Sequence, residues 1–586
     1  MAQALYNAQA SVNASPNMAS LSWVLAISRE KLSQQDAKNL LEAIVEVIRE
    51  KPLRSLARGY LAYLSASCTW NLIVKPCWRK VEAWKTQRQL PNNAPSLVWG
   101  HFKDIFVDNQ HRVYERMWDH FGVRKTVQFA TPLFDMTPVF ISTIDEKNVK
   151  HILQDNFDNY VKTEESREEL SKSMAPGTKV FLRDGIFRID HGVHAKDGGK
   201  AWRLQRKVAA QIFTKNNFQK HMGDCFLRQA ENVCNCVLQQ DAAIDFQEIF
   251  RRFTMESIGN IFFNTDFGLF ADHASSASFG TCFDEVNERL ARQRGLRSVL
   301  YGLSDLCPKP FDHILQAWYW QGQEQTAFAA KCEQLRGYCR EIVQAAHCDA
   351  KLSERRDLLA LFMNAEHDGA KLNDEVLVDL VVSFALAGRD TTASLLTWSA
   401  CLLSQNPEVQ AKLRAEIDEL GSEKPSYRTI EKMPYLRGLL WEVLRLRPVV
   451  PLDSKVAVKA DILPDGTYVP KNARVFFFPW GVGLDKERWG EDVQRLSPER
   501  WIGKPLPSSF DFPAFQAGPR ICLGLNMALF EAGIMLVTLL QRFELSLADP
   551  KFEPLHDRNV VMGIQGGLLL HAKKLETGPA AKHGGA

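Results

Sequence analysis

Phe515-Gln-Ala-Gly-Pro-Arg-Ile-Cys-Leu-Gly524 is the stretch that decides this sequence. Gly518 and Pro519 force a tight turn, and Gly524 lets a flat, bulky group approach the backbone closely. The next run, Leu525–Phe543, reads as a long helix, so Cys522 sits just before a helix N-terminus. Unpaired N–H groups and the positive end of the helix dipole stabilise a thiolate there. Arg520, two residues earlier, adds a cation suited to a carboxylate of a bound group. A buried apolar filler is the commoner fate of a lone cysteine. The surroundings of Cys522 separate it from the rest of the 12 cysteines, which are spread without framework spacing. Cys234 and Cys236 form a single C-x-C, a poor metal pattern, and the others read as free thiols of a reducing compartment.

Composition bounds the remainder. A chain of 586 residues with 45% apolar and 24% charged residues is globular and far too long for a small binding module. The formal net charge of +3 is nearly balanced, and no basic block tracks phosphates, so nucleic acid is not an expected partner. From the Pro91 and Pro95 linker to about Lys574 the pattern is mostly helical with short strands, without an internal repeat.

Three further patterns lie upstream of the cysteine loop. Leu372–Leu403 reads as one helix containing Ala387-Gly-Arg-Asp-Thr-Thr392. Arg389 and Asp390 interrupt its apolar run, and buried charge is costly unless paired or functional. A bend where Thr391 bonds back to its own backbone is the plain structural explanation. Glu442 and Arg445 share a helix face at i,i+3 among apolar flanks, and Arg500 in Pro498-Glu-Arg-Trp501 is available as a third partner. Trp202 and Arg206 occupy a basic helix that could equally be a solvated face.

The cysteine loop resembles the haem-binding signature F-x-x-G-x-R-x-C-x-G of the cytochrome P-450 family at every fixed position, and the other patterns follow in that family's order. The resemblance implies a mainly α fold with small β-sheets, the cytochrome P-450 fold. It also implies haem b (iron protoporphyrin IX) with Cys522 as the axial ligand of the iron, a thiolate that favours O–O cleavage. Phe515 is then expected beside the haem near the sulfur, with Gly518 and Gly524 shaping the loop. Arg520, Trp202 and Arg206 are expected at the propionates. Ala387 and Gly388 leave room for dioxygen, while Asp390 and Thr391 deliver protons. Glu442, Arg445 and Arg500 are implied as a structural lock beneath the haem.

Asp184-Gly-Ile-Phe187, Val450-Pro-Leu-Asp-Ser-Lys455, Leu463-Pro-Asp-Gly-Thr467 and Trp489-Gly-Glu-Asp492 are similar to the fatty-acid omega-hydroxylases of plants and microbial eukaryotes. The implied reaction inserts one oxygen atom from O2 into an unactivated C–H bond of a lipid-like substrate. Sterols or terpenoids are alternative substrates. A haem-thiolate isomerase or dehydratase acting on peroxides is an alternative class that Asp390 and Thr391 weigh against, and a haem sensor would not need that pair. No flavin or nicotinamide motif occurs, so electrons are expected from a separate NADPH–cytochrome P-450 reductase.

The expected organisation is an extension over 1–88, a monooxygenase domain over 89–574 and a disordered tail over 575–586. The extension holds an amphipathic helix from Ser33 and the uncharged stretch Gly59–Val74, bracketed by Arg58 and Lys75, with Trp70 and Trp78 as interfacial aromatics. Membrane association is therefore expected, at the endoplasmic reticulum with a cytosolic catalytic domain. Asp190–Gly199 and Ser304–Trp320 depart from the family pattern and touch on substrate entry.

Overall fold

In the computed structural model, the described residues are 100–108, 112–130, 139–162, 200–240, 242–270, 279–289, 323–367, 369–421, 423–557 and 561–575, with scattered positions between 63 and 78. The chain divides into two compact units. The first comprises Met1–Lys85, Pro132–Met136 and Leu296–Gln321; its described residues, among them Tyr63, Trp70, Val74 and Trp78, are helical and exposed. No described helix is long and apolar enough to cross a membrane. The helix from Ser33, most of Gly59–Val74, Asp190–Gly199, Ser304–Trp320 and the tail from residue 576 lie outside the described residues.

The second unit, Thr86–Thr131, Thr137–Gly295 and Gly322–Ala586, is mainly α-helical. Its principal helices are α1 (Val113–Phe121), α2 (Lys200–Ala209), α3 (Gly223–Leu238), α4 (Phe246–Ile258), α5 (Gln323–His347), α6 (Asp374–Gln405), α7 (Pro407–Asp418), α8 (Pro434–Leu446) and α9 (Leu525–Leu540). The expected helix over Leu372–Leu403 corresponds to α6. Asn373 caps it by accepting the Val376 N–H at 3.0 Å, and Asp374 and Glu375 complement the dipole in its first turn. A helix apolar all round has to be buried, and α6 runs through the core with α4, α5, α8 and α9 packed on it. Thr254 of α4 donates to the Arg389 carbonyl of α6 at 3.0 Å. A Cβ on Gly388 would meet Ile258 Cδ1 at 2.2 Å, so its absence lets α4 approach.

The expected run Leu525–Phe543 splits. α9 ends at Leu540, and Phe543–Leu547 forms a strand with alternating burial, because Phe-Glu-Leu-Ser-Leu has the two-residue period of a half-buried strand.

Eight strands matter here: β1 (Thr126–Phe129), β2 (Phe140–Thr143), β3 (Tyr160–Val161), β4 (Ile244–Asp245), β5 (Asp453–Ala457), β6 (Arg474–Phe477), β7 (Phe543–Leu547) and β8 (Leu569–Lys574). They form a five-stranded sheet in the order β1-β2-β6-β5-β3 and a three-stranded sheet in the order β7-β8-β4. Only β2 and β6 run parallel in the larger sheet, with Arg474 opposite Phe140; β5 joins antiparallel with Lys455 opposite Val475.

Candidate active site around Cys522

The cysteine loop is built by backbone bonds and one close approach. Cys522 N–H donates to the Phe515 carbonyl at 2.9 Å, closing the loop, and the Gly524 carbonyl accepts the Ala528 N–H at 2.8 Å as α9 begins. Gly518 adopts φ +63°, and a Cβ there would lie 2.3 Å from the Leu153 carbonyl oxygen. Glycine is therefore required on both conformational and steric grounds. Phe515 packs edge-on against Trp441 at 5.8 Å, anchoring the loop to α8.

Cys522 is accessible at the start of α9, although protein crowds it closely on its other sides. That crowding pushes its thiol up, while the Gly524 N–H, the Arg206 guanidinium and the Leu525 N–H pull it down. The same burial lowers Arg206, against which the Cys522 sulfur acts. Arg206 of α2 donates to the Ile521 carbonyl, fixing α2 beside the loop. Arg520 stacks on the Trp202 ring with its guanidinium carbon 4.1 Å from the centroid, and Phe157 also stacks against that ring, at 6.4 Å. Trp202, Arg206, Arg520 and Cys522 thus share one locality.

A further cation was not singled out by sequence. Gln516, at φ +62°, donates to Asp453 at the start of β5. Asp453 and Lys455 lie two apart on one strand and share a face, so Lys455 faces the loop side. Lys455 is 2% exposed, and no carboxylate among the described residues pairs with it. A buried ammonium needs an anion. The alternation of Val450-Pro-Leu-Asp-Ser-Lys455 contained that signal, but only tertiary structure shows that Asp453 meets Gln516. With Arg206 and Arg520 beside an accessible cysteine, the residues fit a planar ligand that carries carboxylates and takes a thiolate.

α6 presents a second accessible surface. Between Leu377 and Leu403 every residue is buried except Leu386, Ala387, Gly388 and Thr391. Thr391 Oγ1 donates to the Ala387 carbonyl at 2.5 Å, the expected back-bond. Asp390 turns elsewhere: Arg389 donates to its Oδ1 at 2.7 Å and Asn287 to its Oδ2 at 2.8 Å. Arg389 also pairs with Asp284 at 2.7 Å, so residues 284 and 287 of one helical segment hold both charges. Burial pushes the Asp390 carboxyl up, with Arg389 pulling against it. Among the described residues no hydrogen bond joins the Asp390–Thr391 turn to the Cys522 loop; the two are carried on α6 and α9, which pack together.

Glu442, Arg445 and Arg500 meet as expected from sequence. Glu442 accepts Arg445 Nε at 2.8 Å and Nη2 at 2.7 Å, the Trp501 indole at 2.8 Å, the Ser497 N–H at 3.1 Å and Arg500 Nε at 3.4 Å. Arg445 continues to the carbonyls of Gly483 and Val493, each at 2.6 Å. Both side chains of the Glu442–Arg445 pair are fully buried. The cluster ties α8 to the segment that leads into the cysteine loop.

The family model described as Cytochrome P450 matches residues 149–575. Cytochrome P450 94A1 of Vicia sativa is 31% identical over 420 residues, covering 69% of this chain and 75% of that protein. Cytochrome P450 94B1 of Arabidopsis thaliana is 29% identical over 488 residues, covering 80% and 89%. Cytochrome P450 704C1 of Pinus taeda is 29% identical over 484 residues, covering 76% and 85%.

Proposed function

Because this chain belongs to the cytochrome P450 family of monooxygenases, we propose that Cys522 ligates haem b and that the enzyme hydroxylates fatty acids at the terminal carbon. The observation that carries the reading is the setting of Cys522: an accessible sulfur at a helix start, approached by two backbone N–H groups and by Arg206. Haem b, when bound, supplies the activation of O2 that puts one oxygen atom into a C–H bond and the other into water, with two electrons and two protons consumed.

The protein's own residues bind, orient and move protons. The Gly524 and Leu525 N–H groups tune the sulfur's donor strength. Arg206, Arg520, Trp202 and Lys455 would hold the propionates, and ligation to the iron would offset the cost that burial places on the Cys522 thiolate. Ala387 and Gly388 would leave room for dioxygen, which the accessible turn of α6 supports. Asp390 and Thr391 deliver protons there. Glu442, Arg445 and Arg500 have a structural role.

Fatty-acid omega-hydroxylation rests on the sequence likeness of Val450–Lys455 and its companion segments. NADPH–cytochrome P-450 reductase supplies the electrons. The uncharged stretch Gly59–Val74 and the exposed Trp70 and Trp78 support association with the endoplasmic reticulum membrane. Incubation with reductase, NADPH and a fatty-acid panel tests the reading. Terminally hydroxylated product is expected; turnover of a sterol or terpenoid without it would reject the substrate assignment.

A further inference from the structure

Three tryptophans form a ladder that starts at the Cys522 loop. Between ring centroids, Phe515 of the loop meets Trp441 of α8 edge-on at 5.8 Å, Trp441 stacks on Trp501 at 5.9 Å, and Trp501 meets Trp489 at 5.2 Å. Phe512 packs against all three indoles and holds them together. Trp441 and Trp501 are each 9% exposed, while Trp489 is half-buried, so the ladder leads from the loop toward solvent. Aromatic packing explains the contacts, and phenylalanine would supply it equally. An indole differs in giving up an electron far more readily than a phenyl ring, and electrons pass rapidly between rings in contact.

The charges around each ring set where an electron vacancy would rest. Trp501 Nε1 donates to Glu442 Oε2 at 2.8 Å. An indole that loses an electron becomes a strong acid, and Glu442 is already placed to take its proton. A carboxylate that close also favours positive charge on the ring. Trp202, the other tryptophan beside the loop, has the opposite setting. Arg520 lies 4.1 Å over its ring, and a cation there opposes removal of an electron. Trp489 donates to the Val482 carbonyl at 2.7 Å and carries the Arg445 guanidinium at 5.5 Å, a setting for transit rather than storage.

We propose that Trp441, Trp501 and Trp489 form an electron relay that protects the haem site when it is oxidised with no substrate to consume the oxidant. This rests on the haem-thiolate reading above. With hydrogen peroxide as the oxidant, the O–O bond breaks and two waters form, which takes two electrons and two protons. The relay supplies the electrons one at a time. Trp441 loses an electron and regains it from Trp501; the Trp501 Nε1–H bond breaks, Glu442 takes the proton, and a neutral indole radical remains. Trp489 then passes an electron inward from ascorbate at the surface, and the proton returns from Glu442 to Nε1. Two ascorbates, each giving up one electron and one proton, balance one peroxide.

The test mixes the full haem-loaded chain with hydrogen peroxide, without substrate, and freezes it rapidly for electron paramagnetic resonance. We expect a tryptophan radical in the wild type, narrowed when the indoles are deuterated. After reaction without ascorbate, peptide mapping should find oxidised tryptophan at Trp501 and Trp489 and not at Trp202. Trp441→Phe keeps an aromatic ring in place but breaks the first step, so the radical and the Trp501 oxidation should be lost and the haem should bleach faster. Trp489→Phe should keep the radical and lose its rapid clearance by ascorbate. A wild type without a tryptophan radical, oxidation confined to Trp202, or W441F with wild-type oxidation at Trp501 overturns the relay. If W441F does not load haem, clearance at the wild-type rate in W489F overturns it equally. A wild type that lacks the thiolate spectrum overturns the reading beneath the proposal; a thiolate spectrum without the radical overturns the relay alone.

Discussion

Glu442→Ala tests how the lower part of the site is held. The substitution removes the acceptor of five hydrogen bonds and leaves the fully buried Arg445 guanidinium with only carbonyl partners. Breaking a buried pair by deleting one member costs about 3–5 kcal/mol, mostly because a charge is left uncompensated. An unfolding entropy of about 2.1 cal/mol/K per residue gives about 0.9 kcal/mol/K over residues 149–575. The melting temperature should therefore fall by about 3–6 °C. Glu442→Gln retains one acceptor for Arg445 or Trp501 and should lose less. Differential scanning calorimetry on matched haem-loaded preparations reads the shift, and the haem-to-protein ratio shows whether the loop has loosened. E442A melting with the wild type would refute the idea that this pair carries structural load.

Further outcomes follow from the same geometry. Lys455→Gln should release haem about 10–100-fold faster, as loss of a charge-assisted bond worth about 1.5–3 kcal/mol predicts; transfer to apomyoglobin measures it, and an unchanged rate removes Lys455 from the site. Arg520→Ala should lower haem occupancy and release Trp202, whose fluorescence and quenching report the lost stack. Glu256 accepts the N–H groups of Phe267 and Leu269, and burial raises its carboxyl to about 7. A raised folded-state value means stability is fully present below pH 4.5 and is lost as pH rises through about 7. The wild type should thus lose on the order of a few kcal/mol between those limits relative to Glu256→Gln; parallel pH–stability curves for the two proteins would contradict this.

Much of the site was legible because its determinants are local. Gly518, Pro519 and Gly524 encode a turn, Cys522 and the apolar run behind it encode a helix start, and Glu442 with Arg445 encodes one helix face. The end of α9 was missed because Phe543–Leu547 continues an apolar run while its period changes from helix to strand. Long-range contacts account for the rest. Gly388 makes room for Ile258, Asp390 is held by Asn287 more than a hundred positions earlier, and Lys455 matters because Asp453 meets Gln516.

The carbon monoxide difference spectrum of the reduced protein, taken alongside Cys522→Ser, tests the central claim most directly. The wild type should show the red-shifted Soret maximum of thiolate ligation, and C522S should lose it. A wild-type maximum typical of histidine ligation, or a thiolate band that survives in C522S, would contradict it.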